Sequence, residues 1–138
     1  MPVTGRKPKP QGQAVTRHKP VHEWVEVVNV PFAGRPLPEC RPGGFSWPLP
    51  TLKWWETVST MPHCCLWSDS DWCFAEHTAR LVALFDEGAS RLATEIRNRE
   101  RVLGTTVEFR RDIRIRYVDE APVVESENVV SLESYRDL

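Results

Sequence analysis

No apolar run in this sequence approaches the ~20 residues needed to span a bilayer, and its start lacks the hydrophobic stretch of a secretory signal. A soluble, intracellular protein is expected. Cysteine is scarce: Cys40, Cys64, Cys65 and Cys73, two of them adjacent, in 138 residues. That pattern is not a secreted disulfide framework, so reduced thiols are expected. Walker A, G-x-S-x-G and H-E-x-x-H patterns are all missing, and no nucleophile is spaced with a base. Neither an enzyme nor a cofactor is expected. An excess of one charge is lacking too, since the formal net charge is -1. Length allows one domain and requires no more.

Near-neutrality hides a block pattern. Residues 1–22 carry +5, contributed by Arg6, Lys7, Lys9, Arg17 and Lys19 with no acid among them. Residues 23–50 sum to -1, 51–88 to -4, 89–118 to +4 and 119–138 to -5. Such blocks can face different partners. Residues 1–22 are proline-rich and almost free of large apolar groups, so they cannot offset their ordering entropy and read as a mobile arm. Gly5-Arg6-Lys7-Pro8-Lys9-Pro10 resembles a minor-groove hook, with a solubilising tail as the alternative.

The stretch from Thr51 to Leu103 organises the rest. Leu52, Trp55 and Val58, with Trp54, Val58 and Met61, give a helical stripe; Pro48 and Pro50 stand before it and Pro62 ends it. A second helix starts at Ser68 or Asp69 as N-cap, with Asp71 in the first turn, and its face reads Trp72, Ala75, Ala79, Val82, Phe85. Gly88 either breaks this helix or is tolerated within it at ~1 kcal/mol relative to Ala. Ala89, Leu92, Ala93, Ile96 and Leu103 continue the stripe to Gly104, a natural C-terminal stop. Thr105-Thr106-Val107-Glu108 reads as a capping box with Thr105 as cap. Phe109, Ile113 and Tyr117 then favour a fourth helix to about Ile115, although Asp112 to Val118 also alternates as a strand.

The expected fold is therefore mainly α: a small helical core with helices near 51–61, 68–87, 89–103 and 106–115. Residues 23–50 form an extended Pro-rich strap that begins with a short strand near Trp24 to Val30 and lays Trp24, Phe32, Phe45 and Trp47 on the helices. Residues 51–118 are the core and oligomerisation region, and 119–138 a flexible acidic tail. Trp54, Trp55, Trp67, Trp72, Val82, Phe85, Leu92 and Ile96 are the expected core and assembly residues. A core this small, striped on several faces, suits association with its own copies.

Two clusters bear on function. Arg110, Arg111, Arg114 and Arg116, following Arg97, Arg99 and Arg101, can contact phosphates or can be a solvated face paired with acids. DNA contacts are expected at Arg6, Lys7, Lys9, Arg17, Lys19, Arg110, Arg111, Arg114 and Arg116. His63, Cys64, Cys65, Cys73 and His77 invite a zinc site, since Cys73 and His77 lie one helical turn apart. Against it, no C-x2-C pair exists and adjacent cysteines rarely ligate one ion, so no metal is expected. A monomeric DNA-binding regulator using the arm is one alternative function, and a zinc-dependent enzyme another.

In order and spacing the chain resembles the phage terminase small subunits of actinobacterial phages and prophages. Gly5-Arg6-Lys7-Pro8-Lys9-Pro10, Trp54-Trp55, Met61-Pro62-His63-Cys64 and Trp67-Ser68-Asp69-Ser70-Asp71-Trp72 carry the resemblance. Glu95-Ile96-Arg97-Asn98-Arg99-Glu100, Leu103-Gly104-Thr105-Thr106 and Arg110-Arg111-Asp112-Ile113-Arg114-Ile115-Arg116-Tyr117 extend it. The resemblance implies a helical, ring-forming, non-enzymatic packaging component in the host cytoplasm. It implies recognition of double-stranded viral DNA at the packaging start and recruitment of the large ATPase-nuclease subunit, with no membrane partner. That family's DNA-binding element is often helix-turn-helix-like. Here the pair at 51–85 is net acidic, which moves the DNA role to the arm and the arginine-rich end.

Overall fold

The computed structural model describes residues 23–120. Their order is β1 (Val25–Val28), α1 (Leu49–Ser59), a 3₁₀ turn over Pro62–Leu66, α2 (Asp69–Asp86), a second 3₁₀ turn over Ser90–Leu92, α3 (Ala93–Leu103), α4 (Val107–Asp112) and β2 (Ile115–Val118). The fold is thus mostly helical, with four α-helices and one small two-stranded sheet among the described residues. The arm at 1–22, its basic residues included, and the tail beyond Glu120 lie outside the described residues.

α1 opens earlier than its sequence pattern suggests. Pro50 sits inside its first turn, where the missing N–H costs nothing, rather than standing ahead of it. Of the expected stripe, Trp55, Val58 and Met61 are buried, while Leu52 faces out. α2 begins at Ser68, whose amide donates to Asp71 Oδ2 at 2.8 Å, so the cap holds as read. Its inner face buries Trp72, Ala75, Ala79 and Val82, but Phe85 at the end of the face is 40 % exposed. Gly88, at φ +113°, terminates this helix instead of being carried through it. The next stretch starts as a 3₁₀ turn, leaving Leu92 half-buried, and becomes α-helical only at Ala93.

Tryptophans join these pieces by their N–H groups as well as their rings. Trp55 Nε1 donates to the Arg35 carbonyl at 2.7 Å, and Trp54 Nε1 to Glu100 Oε1 at 2.8 Å. The first ties α1 to the strap, the second to α3. Buried Thr51 closes the other end, donating from Oγ1 to Asp86 Oδ2 at 2.7 Å. In the strap, the Phe32 ring lies 5.8 Å from that of Trp72, and Trp47 packs against the core, as expected. Phe45 does not: it is 65 % exposed at the base of a tight turn closed by its bridge to Arg41.

The chain after Leu103 departs most from its sequence reading. Gly104 takes φ +73°, and a Cβ there would sit 2.9 Å from Ile113 Cδ1 and 3.1 Å from His63 Nε2. Gly104→Ala should therefore destabilise by ~1–3 kcal/mol through backbone strain and crowding, measured by denaturant titration against the parent. The N-cap of α4 is Thr106, which accepts from the Phe109 amide at 3.2 Å, not Thr105. α4 also stops at Asp112, short of the expected end at Ile115. Arg114 adopts φ +60°, the one non-glycine positive φ among the described residues, and redirects the chain into β2. β2 pairs parallel with β1 in the register Val25↔Ile115 to Val28↔Val118.

Candidate nucleic-acid interface

Strand alternation decides which side chains share a face. Glu26 stands opposite Arg116 on the outer side of the sheet, while Trp24 and Arg114 each lie one residue before their strand. The guanidinium carbons of Arg114 and Arg116 lie 5.7 and 5.8 Å from the Trp24 ring centre. Trp24 therefore packs against the arginine end of β2 and not on the helices, as the strap reading placed it. Val27 and Tyr117 take the opposite side, towards the core.

Between α4 and the sheet lies an open cleft of about 330 Å³ lined by Trp24, Val107, Arg110, Arg111, Ile115, Arg116 and Tyr117. Three of the four arginines expected at the DNA-binding end line it, and the fourth, Arg114, reaches it through Trp24. Three of the four are also held by neighbours through polar groups. Arg110 donates to the Gly104 carbonyl at 3.1 Å and lies 4.7 Å from the Tyr117 ring centre. Arg111 pairs with Glu108 at 2.9 Å, and Arg116 with Glu26 across the sheet. Upstream, Arg99 pairs with Glu95 at 2.9 Å and Arg101 with Asp112 at 3.7 Å. Pairs this exposed contribute no more than ~1 kcal/mol each, so they orient the guanidiniums at little expense if a phosphate displaces a carboxylate. Arg114 Nε is buried without a hydrogen-bond partner among the described residues.

The cleft is fixed to the core by His63, a residue read from sequence only as a metal candidate. His63 is 1 % exposed; its Nε2 lies 2.7 Å from the Leu103 carbonyl and its Nδ1 2.6 Å from the Tyr117 hydroxyl. A carbonyl only accepts, so Nε2 carries the proton and Nδ1 accepts from Tyr117. Burial lowers the His63 pKa; Arg110 lowers it further, and the Leu103 hydrogen bond opposes the shift. Burial likewise raises the Tyr117 hydroxyl. Both ring nitrogens are thus spent on holding β2 and the end of α3. Cys64 donates to the Val58 carbonyl at 3.1 Å, with its thiol pushed up to about 12 by burial. Cys65, Cys73 and His77 are exposed, and no group of three or more His, Cys, Asp or Glu among the described residues is placed to hold a metal.

A second groove, of about 380 Å³, runs between α1, α2 and α3. Trp54, Val82, Phe85 and Ile96, four of the expected core and assembly residues, line it together with Pro50 and Ala93. The remaining four divide differently: Trp55 and Trp72 are buried, Trp67 packs partly buried on the core, and Leu92 sits in its 3₁₀ turn. No helix among the described residues is long and apolar enough to cross a membrane.

Compared with known proteins, residues 3–138 match a family model described as phage terminase small subunit. No curated protein and no solved structure matches the chain.

Proposed function

This chain belongs to the phage terminase small subunit family, and on that premise we propose that it forms a ring that grips duplex DNA with its arginine-rich end. Small terminase subunits are the non-catalytic component of viral DNA packaging; they recognise the packaging site and work with the large subunit. The arm residues Arg6, Lys7, Lys9, Arg17 and Lys19, with Arg110, Arg111, Arg114 and Arg116, contact phosphates. The protein acts in the cytoplasm of a bacterial host, and its actinobacterial phage origin belongs to the same proposal.

The observation that carries the DNA role is the convergence of Arg110, Arg111 and Arg116 on one cleft lined by no carboxylate. Glu26 and Glu108 pair with Arg116 and Arg111 beside the cleft, whereas Asp69, Asp71, Asp86 and Glu87 make α2 and its ends acidic, which disfavours that helix in a DNA groove. Assembly is supported by the groove where Trp54, Val82, Phe85 and Ile96 meet, an apolar floor edged by Asp86, Arg97 and Glu100 that a second copy would cover.

Salt dependence tests the DNA role. Five arm contacts alone predict a slope of log K against log salt near -4.5. Arg111→Gln with Arg116→Gln should flatten the measured slope by about two units, since each arginine removed frees one phosphate. An unchanged slope places the phosphate contacts elsewhere. Light scattering that finds a strict monomer at micromolar concentration overturns the ring.

A further inference from the structure

We propose that the cleft between α4 and the sheet takes a single unstacked nucleotide, so that this chain binds single-stranded or locally unpaired DNA. This inference rests on the reading of its arginines as DNA contacts. The composition of the walls carries it. Trp24, Val107, Ile115 and Tyr117 present carbon surface, while Arg110, Arg111 and Arg116 supply the charge. A phosphate alone satisfies the arginines and leaves the aromatic and aliphatic walls against water. A duplex can lay its phosphates against the arginines at the rim, but a space of about 330 Å³ admits no more than a single nucleotide between the walls. A nucleotide meets both demands at once: a flat base with a carbon face, and a phosphate one sugar away. Pockets for small ligands start at roughly this size, ~300 Å³.

The sheet face adds a stacking ladder. Arg114 and Arg116 both bring their guanidiniums within 6 Å of the Trp24 indole centre. Aromatic rings and guanidinium planes are the two surfaces on which unpaired bases stack, and neither distinguishes one base strongly from another. The positive φ of Arg114 sets the turn that brings this ladder beside α4. Backbone of that kind persists where surrounding contacts hold it, here the Val25 amide donating to the Arg114 carbonyl at 2.8 Å.

The test uses the full chain at low salt, with a labelled oligothymidylate of about 12 nucleotides and a hairpin duplex as probes. Trp24→Ala should weaken oligothymidylate binding by roughly 5-fold or more, and Trp24→Phe by less, because phenylalanine keeps a stacking face. Duplex affinity should change little in either variant. Ultraviolet cross-linking of a bromodeoxyuridine oligonucleotide to the parent chain should give adducts on Trp24 or Tyr117. Circular dichroism checks that both variants fold; if Trp24→Ala does not, the cross-link and Trp24→Phe decide. Equal oligothymidylate affinity in all three proteins, or adducts only outside the cleft, overturns the inference. Duplex binding without oligothymidylate binding also overturns it and leaves the packaging-site reading intact. Cleft-dependent oligothymidylate binding without duplex binding supports the inference and counts against duplex recognition by these arginines.

Discussion

Replacing Trp72 with alanine is expected to cost ~3–5 kcal/mol. Trp72 is 5 % exposed and is the hub of the aromatic cluster: Trp67, Phe32 and Trp55 lie 4.8, 5.8 and 6.1 Å from its ring centre. Those three rings come from the turn after α1, the strap and α1 itself, so one side chain joins three segments that share no local hydrogen-bonded ladder. Truncation leaves a cavity whose walls are rigid rings, which collapse poorly, and also removes edge contacts worth ~0.5–1.5 kcal/mol each beyond burial. Arg35, whose guanidinium sits 5.4 Å from the same ring, loses its platform as well. Domains of this size are stable by only ~5–15 kcal/mol, so the variant should melt at least about 10 °C lower. Phe45→Ala is the matched control: its ring is 65 % exposed, and a change within ~0.5 kcal/mol is expected. A Trp72→Ala melting temperature equal to that of the Phe45 variant would show that the rings do not form one core.

The same contrast explains how much of the fold is legible in the sequence. α2 is legible because everything that defines it is local: a serine cap, an aspartate three residues on, a 3.6-residue stripe and a glycine stop. The site is half legible. Arginine density at 110–116 marks a cationic end, but pairing with Glu26 and Glu108 depends on a fold that brings residue 26 beside residue 116. The β1–β2 pairing has no local signal, because parallel partners 90 positions apart are chosen by the packing of everything between them. From Asp112 to Val118 the sequence satisfies both periods. What breaks the tie is Arg114 entering positive φ, which ends the helix early; nothing in an Arg-Ile-Arg run announces that. Trp24 escapes a sequence reading as a site residue for the same reason. Its site role shows only once the fold brings the guanidiniums of Arg114 and Arg116 to within 6 Å of its ring.

His63 gives the second large effect, and a pH signature with it. In the folded chain its neutral form is required, with Nε2–H donating to Leu103 and Nδ1 accepting from Tyr117. The charged groups around it favour the same state: Arg110 on α4 adds positive charge, and the Tyr117 hydroxyl on β2 is itself pushed up by burial. The folded pKa lies below the unfolded value of about 6.5. In the window between the two values the unfolded chain therefore binds more protons, so stability rises with pH there. Full stability is present above about pH 6.5 and is lost progressively as pH falls towards the depressed folded pKa. Substitution by alanine strands the Leu103 carbonyl and the Tyr117 hydroxyl inside the protein, at ~1–3 kcal/mol for each group left unmade. His63→Ala should thus lose ~2–5 kcal/mol at neutral pH, and the arginine cleft should loosen because β2 is no longer tied to the end of α3. Tyr117→Phe removes one of the two bonds and should lose about half as much. Melting curves of the three proteins from pH 5 to 8 separate the contributions. The parent should weaken on the acid side more steeply than His63→Ala, which lacks the titrating group. If the parent and His63→Ala weaken in parallel, other groups govern the acid response and the His63 bridge does not.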